Sequence, residues 1–118
     1  MGERGSATVE MALLLPLFVV LLLFVVEVAA VGRMQMEVVH AARQGARQAA
    51  ADPEVALAAG AARRALPGYR DVQVRVRRDH KVGGDASVVV SVKHRVQLAF
   101  IRGPTLTIRS KSTMRVEQ

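Results

Sequence analysis

The sequence predicts an α+β protein in which a long N-terminal helix and a short second helix precede a small three-stranded antiparallel sheet. Two observations carry this prediction: the apolar run Met11–Val26 leads directly into a helical stripe of small residues, and the hydrophobic period changes to two after Gly68. With residues 1–32 set aside as the apolar segment and its flanks, about 85 residues remain, which is enough for one small domain and no more.

The apolar run is long enough to cross a membrane. Met11–Val26 spans about 24 Å as a helix, and continuation to Gly32 brings the length to about 33 Å, close to a hydrocarbon core of ~30 Å. Pro16 is compatible with this assignment, because neighbouring helices can satisfy the carbonyl that it frees. We therefore predict a transmembrane helix over residues 6–32.

Residues 33–50 continue this helix in amphipathic form. Within it, Ala41, Gly45 and Ala49 form a ridge of small residues four apart, which favours the close approach of another element. The ridge predicts helix packing, either against the chain's own domain or against a neighbouring subunit, and the sequence leaves both partners open.

Residues 51–118 predict a small α+β domain. Asp52 is the expected N-cap of the second helix, followed by Pro53 at the first helical position and an acid at Glu54. The expected end of this helix is Leu66-Pro67-Gly68. Its predicted apolar side consists of Leu57, Ala61, Ala65 and Leu66.

Alternating valines and polar residues predict three strands, over residues 72–77, 86–96 and 105–116. The connection Gln97–Pro104 is predicted to be a loop, although Leu98, Phe100 and Ile101 within it are apolar. An apolar loop usually contacts something. We expect it to fold back on the domain's own helix; the membrane and the next subunit are the alternatives.

The composition argues against an enzyme. The chain has no cysteine, and its three histidines, His40, His80 and His94, belong to no catalytic or metal-binding motif. We therefore predict neither a catalytic residue nor a metal or cofactor.

The net charge of +7 makes polyanions an alternative class of ligand, because a basic surface attracts them. One Tyr, three Phe and no Trp provide little for base stacking, so nucleic acid is only a secondary partner prediction. The alternative function is a membrane-tethered or secreted basic protein that binds DNA, acidic lipid or an envelope polymer. The basic side chains expected on one sheet face are Arg70, Arg75, Arg77, Arg78, Lys93, Arg95, Arg109, Lys111 and Arg115.

The ends of the apolar run give conflicting signals. Glu10 begins it and Glu27 lies near its far edge, where we expect that side chain to reach the headgroups or, less favourably, Arg33 of a neighbour. Basic residues are more numerous after the run than before it, which by itself places the C-terminal domain in the cytoplasm. A conventional signal peptide cleaved after Val28-Ala29-Ala30 is a further alternative.

Three segments together resemble the TadE family of pseudopilins from tight-adherence (Flp) pilus loci. The most specific segment joins Gly5-Ser6-Ala7-Thr8-Val9-Glu10 to the Pro-containing anchor. The other two segments are Ala41-Ala42-Arg43-Gln44-Gly45-Ala46-Arg47 and Thr113-Met114-Arg115-Val116-Glu117.

The resemblance implies a pilin-like fold and a role in pilus assembly. Residues 1–5 would be a prepilin leader, cut by a prepilin peptidase between Gly5 and Ser6, and Glu10 would align the new N-terminus among other pilin or pseudopilin subunits. It also implies a single-pass protein with a cytoplasmic N-terminus and an extracytoplasmic domain. Family members often have an aromatic residue where Met11 stands and an acid where Gln44 stands; these departures concern the packing partners and do not touch Gly5 or Glu10.

Overall fold

The computed structural model describes residues 3–98 and 100–117, and it confirms the predicted fold class. Met1, Gly2 and Gln118, which belong to the predicted leader and domain, lie outside the described residues, as does Ala99 of the predicted loop. The elements in chain order are helix α1 (Glu3–Ala51), helix α2 (Val55–Arg64), and strands β1 (Val72–Arg78), β2 (Asp85–Leu98) and β3 (Ile101–Arg115).

Helix α1 contains both the apolar run and the amphipathic stretch without a break. Its 49 residues extend roughly 74 Å at about 1.5 Å per residue. The molecule accordingly measures 83 × 22 × 18 Å. Because one helix passes through both regions, the small domain is built directly on the extension of the apolar segment.

The three strands form an antiparallel sheet in the order β1-β2-β3. Strand β1 pairs with only part of β2, ending at Val72 opposite Val92. Strands β2 and β3 continue beyond that point as a two-stranded hairpin as far as the pair Leu98 and Ile101. The sheet is therefore three-stranded at one end and a narrow ribbon at the other.

The core lies between α1, α2 and the inner face of the sheet. Alternate side chains of β2 point inward, so that Val88 and Val90 are completely buried. Burial of a valine contributes about 1.5–3 kcal/mol, and the described residues include no buried polar or charged side chain. The facing stripe of α1 consists of small residues and two larger ones, namely Met34, Val38, Ala41, Ala42, Gly45, Ala46, Ala49 and Ala50.

The predicted start and apolar side of the second helix were wrong in detail. Glu54 is the N-cap, without a side-chain capping bond, because the Asp52 carboxylate instead accepts the Glu54 backbone N–H at 2.9 Å. This local turn precedes α2 and keeps Pro53 outside it. The helix buries Ala58 and Ala62 together with Leu66, which follows it, while Leu57 of the predicted side is 40% exposed.

The predicted loop Gln97–Pro104 was also wrong, since its described residues mostly belong to strands. Gln97 pairs with Arg102, so the hairpin turns tightly between β2 and β3. Pro104 is tolerated inside β3 because that strand lies at the edge of the sheet, where one side of the backbone needs no partner. Pairing across the hairpin prevailed over the turn-forming tendency of Gly103-Pro104.

Gly45 should be the position of α1 least tolerant of a larger side chain. A Cβ atom at Gly45 would lie 3.0 Å from Val88 Cγ1 and 3.1 Å from Ala62 Cβ, both inside the core. We expect Gly45→Leu to destabilise the domain by about 1–3 kcal/mol or more, since both neighbours must move. Thermal unfolding of the full chain in detergent, followed by the fluorescence of its single tyrosine, Tyr69, measures the loss.

Gly32→Leu is the matched control, because a Cβ at Gly32 meets nothing within 4 Å on the same helix. Equal unfolding temperatures for the two variants would contradict the close packing of α1 on β2 and α2.

Candidate assembly interface

The segment Glu3–Leu22 of α1 is bare among the residues that the structure describes, except that Val20 shares an apolar cleft with the end of the β2–β3 hairpin. Every side chain from Glu3 to Leu22 is exposed, and the most apolar 18-residue window of the helix has a mean hydropathy of 2.9 with none of it buried. Within the described chain, α1 alone is long and apolar enough to cross a membrane, judged by length and composition. Such a surface requires lipid or other helices around it.

The predicted processing residues lie on the exposed first turns of this bare segment. Gly5, Ser6 and Glu10 are all helical and exposed, and the Ser6 hydroxyl donates a hydrogen bond to Glu10 Oε1 at 3.4 Å. Within residues 3–98 and 100–117, Glu10 has no cationic partner. Its carboxylate is therefore directed toward Ser6 and open to a positive charge from another molecule.

Glu27 has a partner that the sequence did not predict. Its Oε1 lies 2.6 Å from Nε2 of His94 on β2, and both side chains are mostly shielded from solvent. The expected alternatives for Glu27, headgroups or Arg33 of a neighbour, did not include this contact. Protonated His94 would form an ion pair with Glu27, and neutral His94 would donate a hydrogen bond from Nε2.

A periodic signal for this pair was present in the sequence. Glu27 lies one helical turn before Val31, in line with the buried stripe of α1. His94 lies on the same face of β2 as Val90 and Val92, because alternate residues of a strand share a face. What the sequence lacked was the alignment of helix with strand. That alignment brings together two residues that are 67 positions apart.

The small-residue ridge is buried inside the domain. Ala41 and Ala49 are fully buried, and Gly45 between them contacts α2 and β2. In this chain the ridge thus packs against the protein's own second helix and sheet. Of the two partners that the sequence left open, the domain itself occupies this face.

Two polar contacts tie the segments after α2 to the amphipathic half of α1. The Tyr69 hydroxyl donates a short hydrogen bond to Glu37 Oε2, and the Arg78 guanidinium donates from Nε to the Ala49 carbonyl at 2.8 Å. The bond to Glu37 and, to a lesser extent, burial and the Glu37 charge raise the pKa of Tyr69 from 10.0 to about 12, against an opposing effect of Arg33.

The outer face of the sheet is basic, as the strand alternation predicts. Arg78 is an exception, because its guanidinium contacts α1 on the inner side, and Arg70 precedes β1. The remaining seven side chains are exposed on the face away from α1 and are Arg75, Arg77, Lys93, Arg95, Arg109, Lys111 and Arg115.

No metal site is formed by the described residues, since nowhere among them do three or more His, Cys, Asp or Glu side chains gather in a geometry that would hold an ion. The polar clefts that they do form lie on the basic sheet face, lined for example by Arg77, Asp85 and Lys111 or by Lys93, Arg95 and Thr107.

Gly5, Glu10, the bare apolar segment and the buried Ala-Gly ridge thus follow one another along α1. Residues 5–47 match the family model described as TadE-like protein. This match confirms the resemblance for the segment from Gly5 through the first part of the ridge. It indicates a protein associated with a tight-adherence pilus, and together with the apolar helix it indicates a membrane anchor. Neither a curated protein nor a solved structure matches the chain.

The ionisation of Tyr69 should report its bond to Glu37. Since the folded-state pKa is raised above the ordinary value, the contact stabilises the fold fully below pH 10.0, and this contribution is lost as the pH rises toward about 12. We expect the absorbance of the single tyrosine to titrate near 12 in the native protein. Glu37→Gln should lower the midpoint toward 10.0, because it removes the carboxylate that accepts the bond.

Glu54→Gln, which removes an exposed carboxylate at the start of α2, is the control and should leave the Tyr69 midpoint unchanged. A wild-type midpoint at the ordinary value would show that the Tyr69 bond is absent in solution.

Loss of His94 should loosen the two-stranded part of the sheet. We expect His94→Ala to leave Glu27 unpaired and to weaken the hairpin locally by about 1.5–3 kcal/mol, the range for a hydrogen bond to a charged group. Amide hydrogen exchange should then accelerate roughly tenfold or more in residues 93–107 and remain unchanged in residues 86–92.

His80→Ala, in the exposed turn after β1, is the matched control for His94→Ala. Glu27→Gln should retain most of the protection, because an amide oxygen still accepts from His94. Equal exchange rates of residues 93–107 in wild type and His94→Ala would mean that the Glu27–His94 pair does not hold the hairpin.

Proposed function

We propose that this protein is a minor pilin or pseudopilin of a tight-adherence (type IVc-like) pilus or a related secretion apparatus, and that it acts by helix packing in assembly or priming rather than by catalysis. The observation that carries the proposal is the TadE-like match over residues 5–47, the segment of α1 that contains Gly5, Ser6, Glu10 and the bare apolar surface.

The first step of the proposed pathway is removal of residues 1–5. A prepilin peptidase would cut between Gly5 and Ser6, both of which are exposed. Cleavage would place the new amino group of Ser6 one helical turn from Glu10, whose carboxylate already accepts the Ser6 hydroxyl. The two charges that the mechanism requires are thus adjacent on the same end of the helix.

The proposed role of Glu10 is to pair with the Ser6 amino group of a neighbouring subunit. Shielded by lipid or packed helices, the pair would interact more strongly than a surface ion pair, because the local dielectric is lower. An unpaired charge in that environment would be destabilising, which restricts packing to arrangements that align the subunits.

The proposed topology has a cytoplasmic N-terminus and an extracytoplasmic domain. The family match supports it, because the processing enzyme acts on the cytoplasmic side in prepilin-like proteins. The exposed Arg33, Arg43 and Arg47 argue for the opposite orientation by the distribution of flanking charge. We give priority to the family match, since a leader of five residues has little room for basic residues.

A second candidate function is supported by the basic outer face of the sheet. Seven exposed Lys and Arg side chains share that face, which suits attraction to a polyanion such as DNA, acidic lipid or an envelope polymer. A protein with only this role would be tethered by α1 and would need neither processing nor assembly.

Glu10→Ala separates the two functions. In cells with an active prepilin peptidase, we expect the membrane-bound protein to begin at Ser6, as read by N-terminal sequencing. The variant should still be inserted in the membrane but should be lost from the pilus fraction, because the new N-terminus has no carboxylate to pair with.

Glu3→Ala, which removes an acid from the proposed leader of the same helix, is the control for Glu10→Ala and should not change incorporation. Recovery of the intact chain beginning at Met1 would contradict the assembly function. Equal incorporation of wild type and Glu10→Ala would favour the tethered binding protein.

A further inference from the structure

The tip of the β2–β3 hairpin reaches the apolar part of α1. Leu98, Phe100 and Ile101, here called the hairpin tip, line one apolar cleft together with Val20 and Leu23 of the helix. Phe100 is fully exposed and Ile101 is 70% exposed. An apolar surface of this kind at the end of a narrow ribbon indicates a contact outside the chain.

The hairpin stays close to α1 between the Glu27–His94 pair and the hairpin tip. Between the Glu27–His94 pair and the hairpin tip, a second apolar cleft separates the two elements. Its lining includes Phe24 and Val28 of α1 and Val96 of β2. The ribbon therefore follows α1 for about two turns past Glu27 in the direction of the N-terminus.

The length of the apolar helix decides what surrounds the hairpin tip. Leu23 and Val20 lie about 6 and 10 Å beyond Glu27, toward the N-terminus, at about 1.5 Å per residue. Suppose that the hydrocarbon core ended on the N-terminal side of Val20, so that the tip lay outside it. The core would then contain only the uncharged residues Met11–Val19, which is about 14 Å of helix. A hydrocarbon core of ~30 Å requires the whole run to Val26, and this places the bilayer around the tip.

We propose that the hairpin tip is inserted in the lipid bilayer beside α1, so that the protein contacts the membrane through a helix and a hairpin. The inference rests on the membrane anchoring that is part of the proposed function, but it adds a second site of lipid contact. The ligand is the acyl-chain region of the leaflet next to the domain.

The residues next to the hairpin tip suit the headgroup region. Gln97 and Arg102 form the pair behind Leu98 and Ile101, and Arg95 follows on the same ribbon. Arginine side chains can extend to lipid phosphates while their stems lie on apolar surface. An apolar tip with a polar and basic collar is thus matched to the boundary between acyl chains and headgroups.

The backbone of the ribbon limits the depth of insertion. Beyond Val92 the β2 edge has lost its β1 partner, and β3 is an edge along its whole length. Unpaired N–H and C=O groups are costly in hydrocarbon and are satisfied where water and headgroups are present. The tip should therefore lie at the shallow depth that the spacing from Glu27 gives and not cross the leaflet.

A single introduced tryptophan tests the depth directly, because the chain has none. Phe100→Trp and Ile101→Trp place the probe in the hairpin tip, Phe18→Trp places it in the anchor, and Val82→Trp places it on the exposed turn at the opposite end of the sheet. Each full-length variant is reconstituted in phosphatidylcholine vesicles with and without bromine-labelled acyl chains.

We expect Phe100→Trp and Ile101→Trp to emit at shorter wavelength than Val82→Trp and to lose most of their emission to bromine near the headgroup end of the acyl chain. Phe18→Trp should be quenched most by deeper labels, whereas Val82→Trp should be quenched by aqueous acrylamide and not by lipid.

Other outcomes overturn the proposal in distinguishable ways. If Phe18→Trp is quenched by lipid but both tip variants behave like Val82→Trp, the anchor stands and the inserted tip is wrong. The inserted tip is equally wrong if the tip variants resist both quenchers at high protein content, since a second copy then covers the tip. If Phe18→Trp itself escapes lipid quenching, the membrane anchoring fails, and the proposed function fails with it.

Discussion

The close contact of α1 with β2 is the interaction on which the rest of the structure depends. At Gly45 the helix leaves space for only a hydrogen atom, because a Cβ there would lie 3.0 Å from Val88 Cγ1. The chain has no cysteine, and its described residues bury no polar side chain. Stability of the small domain therefore comes chiefly from apolar packing, and the alanine and glycine stripe sets how near the helix and sheet can approach.

This contact also aligns the sheet with the helix. Strand β2 is about 46 Å long at roughly 3.3 Å per residue, and it follows the same stripe of α1 from Gly45 past Glu27 toward Leu23. The domain thus extends along the anchor instead of lying beyond its end. Glu27 and His94 meet where the buried stripe passes into the apolar run, so that a carboxylate at this boundary has a partner.

The arrangement leaves separate surfaces for separate contacts. The inner face of the sheet is occupied by α1 and α2, while its outer face is basic. The bare half of α1 carries Glu10, and the TadE-like match begins at Gly5, so the match includes a surface that the described residues leave largely uncovered. Because the Ala41 ridge is buried inside the domain, the subunit packing that we propose would use the apolar half of α1.

The sequence by itself determined the elements, because periodicity is local. The length of the apolar run and the helical spacing after it defined α1, a period of two defined the three strands, and the segment Gly5–Glu10 was the most specific pointer to the family. Local patterns were less reliable at boundaries: Asp52 formed a turn instead of a cap, and Gly103-Pro104 did not end the pairing of β3. Only the tertiary structure decided which surfaces meet. The partners of Glu27, of the Ala41 ridge and of the hairpin tip depend on the alignment of helix and sheet, and packing across long sequence separations fixes that alignment.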